Sequence, residues 1–213
     1  MKLTIIYDNE SQPGLKSDWG FSCLIENAKK ILFDTGADSE ILLYNMKQLK
    51  INSKDIDIVI LSHNHWDHIG GLKGFLEANE NRAKVYQPRD FSKPTKISQG
   101  IYSTGALGVF IKEQSLIVNT KKGNIVITGY AHPGLENIID TAKQFTLLDN
   151  QHLTGLGKIY GIVGGFHGFS TLEKLKGIKL IAPCHCTQHK QEIKEKYPAN
   201  YKKIKAGSVI EII

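Results

Sequence analysis

Arginine is nearly absent: Arg82 and Arg89 are the only two in 213 residues, although lysine brings the formal net charge to +6. Nucleic-acid surfaces draw on arginine forks interleaved with aromatics. The lysines are instead scattered and densest toward the C-terminus, the pattern of a solvated face, so no nucleic-acid partner is expected and an anionic small molecule stays open. Three cysteines are too few for a disulfide framework. No apolar run approaches the roughly 18 residues of a membrane span, so no membrane partner is expected. The N-terminal segment reaches Asp8 before a signal-length apolar stretch accumulates and reads as a first strand, which points to the cytoplasm. What remains, 41% hydrophobic and 23% charged residues, is the composition of a globular protein, expected as one domain over residues 1–213.

Short β-prone runs open the chain at 3–7, 20–25 and 30–33, broken by polar or Gly/Pro punctuation. Ile41, Leu42, Met46 and Leu49 recur at helical spacing, with Asp38 or Ser39 placed to cap the helix. The run 57–61, continuously apolar after Asp57, reads as a strand buried on both faces. A helix near 70–79 and a strand at 84–86 follow, then a loop-rich segment, 88–105, holding Pro88, Pro94, Gly100 and Gly105. Strands are expected at 108–111, 115–118 and 124–128, a helix at 135–143, a strand at 158–164, a helix at 171–176 and a strand at 179–182. Each half runs through strands into a histidine-bearing loop, and two mixed β-sheets with helices outside accommodate that order.

The densest chemistry lies in Ser62-His63-Asn64-His65-Trp66-Asp67-His68-Ile69-Gly70-Gly71, directly after a predicted buried strand. His63 and His65, two residues apart in extended chain, can aim at one cation, and Asp67 and His68 can serve an adjacent one as the chain turns into a helix. Neutral imidazoles and carboxylates suit zinc, manganese or iron. His132, in Gly129-Tyr130-Ala131-His132-Pro133-Gly134, and His185, in Pro183-Cys184-His185-Cys186, each follow a predicted strand. Cys184 and Cys186 flank His185, but neighbours in extended chain point away from it, so they read as structural.

The His-x-His-x-Asp-His signature resembles that of the metallo-β-lactamase superfamily. The segments Phe33-Asp34-Thr35-Gly36, Gly129 to Gly134, Val163-Gly164-Gly165-Phe166-His167 and Ala182 to Thr187 are similar to its branch of metal-dependent hydrolases named for dihydropterin aminobenzene phosphate synthase. The resemblance implies an α/β fold, the four-layer αβ/βα sandwich of two mixed sheets flanked by helices. It implies one metal site from His63, His65 and His132 and a second from Asp67, His68 and His185, filled by one or two Zn2+ ions, with Mn2+ or Fe as alternatives. Asp34 is then expected to orient ligand imidazoles from behind. The family's metal-bridging Asp has no counterpart: its position reads Gly164-Gly165-Phe166-His167. A weakly held second ion, a water bridging alone, or His167 as ligand or proton-transferring group would each fill that gap. Asp149, on the far side of the preceding strand, is not assigned.

The expected activity is metal-dependent hydrolysis of a small ester, lactone or phosphate ester, with Asp67 and His167 as catalytic candidates. Arg89, Lys93 and Lys96, in the segment where the superfamily often carries substrate contacts, are the candidates for an anionic substrate. Two other readings stand beside it: synthase or transferase chemistry on a phosphorylated pterin precursor, and a non-hydrolytic iron, redox or binding role.

Overall fold

The computed structural model describes residues 1–148 and 158–212; Asp149 lies outside them. The chain forms two compact units, Met1–Asp90 with Ile204–Ile213, and Phe91–Lys203. Each unit is built on a six-stranded mixed sheet with helices against it.

In the first unit the strands are β1 (Lys2–Tyr7), β2 (Ser22–Glu26), β3 (Lys30–Phe33), β4 (Ile58–Ile60), β5 (Lys84–Tyr86) and β12 (Val209–Glu211). Their order is β12-β1-β2-β3-β4-β5, antiparallel up to β3 and parallel from β3 to β5. Period-two alternation sends Ile6, Leu24, Leu32 and Val59 to one face, where Leu42 and Met46 of α1 (Ser39–Gln48) and Phe75 of α3 (Leu72–Ala78) pack on them. The alternate set, including Ile5, Cys23, Ile31 and Phe33, is equally buried, which is why these strands read as continuous apolar runs. Of the two candidate caps Asp38 is the one that caps α1, its Oδ1 accepting from the backbone N–H groups of Glu40 (2.6 Å) and Ile41 (3.1 Å).

In the second unit β6 (Thr95–Ser98), β7 (Ile101–Ser103), β8 (Leu116–Thr120), β9 (Gly123–Thr128), β10 (Ile159–Gly165) and β11 (Leu180–Cys184) run in the order β11-β10-β9-β8-β7-β6. β9, β10 and β11 are parallel and the rest antiparallel. One register row, Ile117, Val126, Ile162 and Ile181, crosses four strands and receives Leu135, Ile138, Ile139 and Ala142 of α4 (Leu135–Leu148). No helix among the described residues is long and apolar enough to cross a membrane.

Three expectations are extended or corrected. The loop-rich segment 88–105 also holds strands that were not expected there, the β6–β7 hairpin, pinned by pairing with β8. Residues 108–111 are not a strand. Gly108 takes φ +89°, a left-handed conformation that breaks a strand, and the segment is a surface loop with Phe110 fully exposed. The helix expected at 171–176 is a single 3₁₀ turn, Leu172–Leu175, while α5 (Lys190–Lys196) and β12 carry no sequence expectation at all.

Candidate functional site

In both units the chemistry-bearing residues leave the carboxyl ends of parallel strands, where open α/β sheets place their ligands. In the first unit β3 ends into Asp34, and β4 runs through Leu61 and Ser62 into His63 and His65, with Asp67 and His68 in the short helix α2 (Trp66–Ile69). In the second, β9 leads to His132, β10 to His167 and β11 to His185. Four non-glycine residues at these turns, Asp34, Ala131, His167 and His185, have φ between +46° and +68°. Such conformations cost free energy and concentrate where a fold must aim a side chain.

Asp34 organises the first cluster. It is fully buried, its Oδ1 accepts from the Ser62 N–H (2.6 Å), and its Oδ2 accepts from both the Ser62 hydroxyl (2.7 Å) and His68 Nδ1 (2.7 Å). Because the single Ser62 hydroxyl proton is committed to Asp34, the 2.8 Å contact between Ser62 Oγ and His63 Nδ1 makes Nδ1 of His63 the donor. One carboxylate therefore fixes the Nδ1–H tautomer of both rings and places the lone pair of each on Nε2, the form a metal requires. The His63 and His68 ring centroids are 4.2 Å apart, those of His63 and His65 4.6 Å. Asp67 Oδ2 lies 3.6 Å from His68 Nε2 and accepts from Trp19 Nε1 (2.9 Å). The loop carrying Trp19 is tied down by buried Asn45, which bonds both the N–H and the carbonyl of Lys16 at 2.8 Å.

The second cluster has its own carboxylate, one that sequence reasoning missed. Glu113, fully buried, accepts at Oε1 from the Tyr130 (2.9 Å) and Ala131 (2.8 Å) N–H groups, and at Oε2 from the His132 N–H (2.8 Å) and His132 Nδ1 (2.9 Å). It does for His132 what Asp34 does for His68. Tyr130, also unforeseen, stacks on His132 at 4.3 Å and 11°, and its ring lies 4.8 Å from that of His167 and 5.5 Å from that of His185. His185 is buried, and its carbonyl accepts from Lys190 Nζ at 3.4 Å. Cys184 and Cys186 are buried; Cys186 Sγ donates to the Tyr130 carbonyl at 3.5 Å, a packing role in keeping with the sequence reading.

His167 lies near this cluster, its ring centroid 6.0 Å from that of His132. Its Nδ1 is buried with no hydrogen-bond partner among the described residues. Burial, then the neighbouring His132, hold its imidazole below the usual histidine range against the opposing pull of Glu113. The two glycines before it explain why no carboxylate precedes it. Gly164 has φ +121°, and a Cβ there would lie 1.9 Å from the Thr128 carbonyl oxygen; at Gly165 it would lie 2.3 Å from that of Gly129. Strands β9 and β10 meet too closely for a side chain.

Arg89, Lys93 and Lys96 are exposed, and neither Lys93 nor Lys96 is among the residues lining the two cavities described beside His132 in their own unit.

The donor set fits a divalent ion. Imidazoles held by carboxylates through Nδ1, with an aspartate beside them, are the ligands borderline metals select.

Comparison with known proteins agrees. Residues 20–148 match the family model described as the metallo-beta-lactamase superfamily. The 7,8-dihydropterin-6-methyl-4-(beta-D-ribofuranosyl)-aminobenzene-5'-phosphate synthase of Methanocaldococcus jannaschii is 29% identical over 92% of this chain and 90% of its own. A ribonuclease Z of Clostridium novyi is 32% identical over 57% of this chain and 40% of its own. The crystal structure of Tm1679, a metal-dependent hydrolase of the beta-lactamase superfamily, is 24% identical and superposes with a TM-score of 0.76 over 100% of this chain and 99% of that one. With this fold, and with a matching family model over more than half its length, the chain belongs to the metallo-β-lactamase superfamily.

Proposed function

We propose that the two units act as one domain, a metal-dependent hydrolase. His63, His65 and His132 would hold one divalent ion, and Asp67, His68 and His185 a second. The observation that carries this reading is the paired carboxylate support: Asp34 behind His63 and His68, and Glu113 behind His132. A protein that merely tolerated histidines in polar turns has no use for two fully buried carboxylates committed to their Nδ1 atoms, since a buried charge is costly unless it is bonded. Zinc is the ion we favour, with manganese or iron as alternatives. When bound, such an ion supplies Lewis acidity toward water and toward the carbonyl or phosphoryl group of the substrate.

The chain's own residues would do the rest. In hydrolysis the oxygen of water joins the acyl carbon or phosphorus, the ester bond breaks, and a proton must leave the water and another reach the departing oxygen. Asp67, fixed by Trp19, is proposed to take the proton of the attacking water as well as to ligate. His167, whose basicity burial depresses, lines a cavity of about 360 Å3 together with His132 and is proposed to pass a proton to the departing oxygen, taking one from solvent in exchange, while the proton on Asp67 returns to solvent. With Gly164 and Gly165 too tightly placed to carry a side chain, His167 is the nearest titratable group following β10. The substrate proposed is a small ester, lactone or phosphate ester in the cytoplasm, for which three thiols outside any disulfide fit a reducing compartment.

A second reading has its own support: the Methanocaldococcus jannaschii relative, aligned over nearly its whole length, is a synthase, which favours chemistry on a phosphorylated pterin precursor. Arg89, Lys93 and Lys96 would then be needed as phosphate contacts. The separating experiment is turnover of p-nitrophenyl acetate, a simple lactone and bis-p-nitrophenyl phosphate by zinc- and manganese-loaded protein. Hydrolysis of any of them, abolished by His63→Ala, supports the hydrolase. No hydrolysis by fully loaded protein favours the synthase.

A further inference from the structure

In the second unit a cavity of about 850 Å3 has His132 in its wall. One side is the loop after Leu107, contributing Val109, Phe110 and Ile111, with Pro133 beside them. Val109 is 82% and Phe110 99% exposed, which makes this tip the most solvent-exposed large apolar segment of the described residues. The loop is built rather than slack. Leu107 and Glu113 exchange two backbone hydrogen bonds (2.8 and 3.0 Å), and Lys112 Nζ donates to the Gly108 carbonyl at 2.6 Å. Its base is thus Glu113, the residue that grips His132, so the apolar tip and the imidazole are positioned by one clasp.

The facing side is one stripe of α4. Asn137, Asp140, Thr141 and Gln144 follow the i, i+3, i+4, i+7 spacing of a single helix face and line the cavity. The lining includes no lysine or arginine, and its one carboxylate, Asp140, is engaged by Lys174 at 3.1 Å. The chamber is therefore apolar on one side and rich in uncharged hydrogen-bonding groups on the other, a combination that suits neither a phosphate nor a carboxylate.

We propose that this cavity is the specificity pocket of the enzyme. It takes the uncharged, apolar or aromatic, non-reacting group of the substrate, edge-on to Asn137, Thr141 and Gln144 and under Phe110, with the scissile end at His132. The inference rests on the hydrolase reading for where the scissile bond lies, but the pocket itself is testable without turnover.

The test uses N-phenyl-1-naphthylamine, an uncharged fluorescent probe, on the chelator-treated chain and on Phe110→Ala and Thr141→Trp, with thermal melts as the folding control. Phe110 is exposed, so its truncation leaves the fold intact. The expected result is saturable binding, weakened about tenfold by either substitution, the second because an indole fills the chamber. Zinc-loaded protein is then given p-nitrophenyl acetate and p-nitrophenyl octanoate. The octanoate-to-acetate ratio of kcat/KM is expected to fall about tenfold in Phe110→Ala. Absence of probe binding, or binding and selectivity indifferent to both substitutions, overturns the pocket. A dimer seen in sedimentation and lost in Phe110→Ala, with no probe binding, overturns it in favour of self-association. Probe binding that responds to both substitutions without turnover of either ester supports the pocket and defeats the hydrolase reading alone.

Discussion

The Glu113 carboxylate holds His132 twice, through its backbone N–H at 2.8 Å and through its ring Nδ1 at 2.9 Å, while also accepting from the two preceding N–H groups. Glu113→Gln keeps the size and removes the charge. An amide that accepts from Tyr130 and Ala131 must turn its NH2 toward the His132 donors. Metal affinity is expected to fall roughly 10–100-fold, the usual cost of losing such a partner, with about 1–3 kcal/mol of stability lost to unsatisfied donors. Competition with a fluorescent chelator and a denaturant titration read the two effects.

Asp34→Asn makes the same test in the first unit. Asn tolerates the left-handed φ of +59° found at Asp34, so the backbone is preserved and the electrostatic effect is isolated. Because Asp34 serves His68 directly and His63 through Ser62, metal binding at both proposed sites is expected to weaken, by about 10–100-fold. Unchanged affinity by chelator competition would remove Asp34 from the ligand support.

Much of this site was legible in the sequence, and the exceptions have physical causes. Three histidines and an aspartate within six residues, following a buried strand, announce themselves locally. Asp34 was legible from Phe-Asp-Thr-Gly. Glu113 was not: it stands in the unremarkable run Lys112-Glu113-Gln114-Ser115, and its partners are mostly backbone N–H groups near position 131, which carry no side-chain signature. The β6–β7 hairpin escaped notice because Pro94 and Gly100 read as loop, whereas pairing of β7 with β8 overrides that local preference. The Val109-Phe110-Ile111 run looked like a strand because an apolar run normally means burial, a rule this exposed tip breaks.

Gly164→Asp places a carboxylate where the family's bridging ligand would be expected, but the backbone refuses it. Gly164→Ala alone is expected to cost about 2–4 kcal/mol, from the left-handed φ and the Thr128 carbonyl. Gly164→Asp should be no better and should not raise metal content. Thermal denaturation and elemental analysis of the two variants check this.

Acid stability is expected to depend on Asp57. Partial burial pushes its carboxyl up, but hydrogen bonds from Lys29 and the Lys30 N–H, with the charges of both lysines, outweigh it and hold the value below the ordinary carboxylate level. A depressed folded value means the unfolded chain binds the proton first, so this contribution is present above the unfolded carboxylate range and is lost as pH falls through the folded value. Asp57→Asn should flatten the fall of stability in that acid window, followed by urea titrations at stepped pH, and leave metal content unchanged.

The central claim is that six side chains, His63, His65, Asp67, His68, His132 and His185, hold metal for catalysis. Elemental analysis of the purified protein beside His63→Ala and His185→Ala tests it most directly. The account predicts up to two equivalents of zinc or manganese in the parent, reduced in each variant, with each variant still folded. A folded parent that takes up no metal from any loading buffer, or variants that retain the full complement, would contradict it.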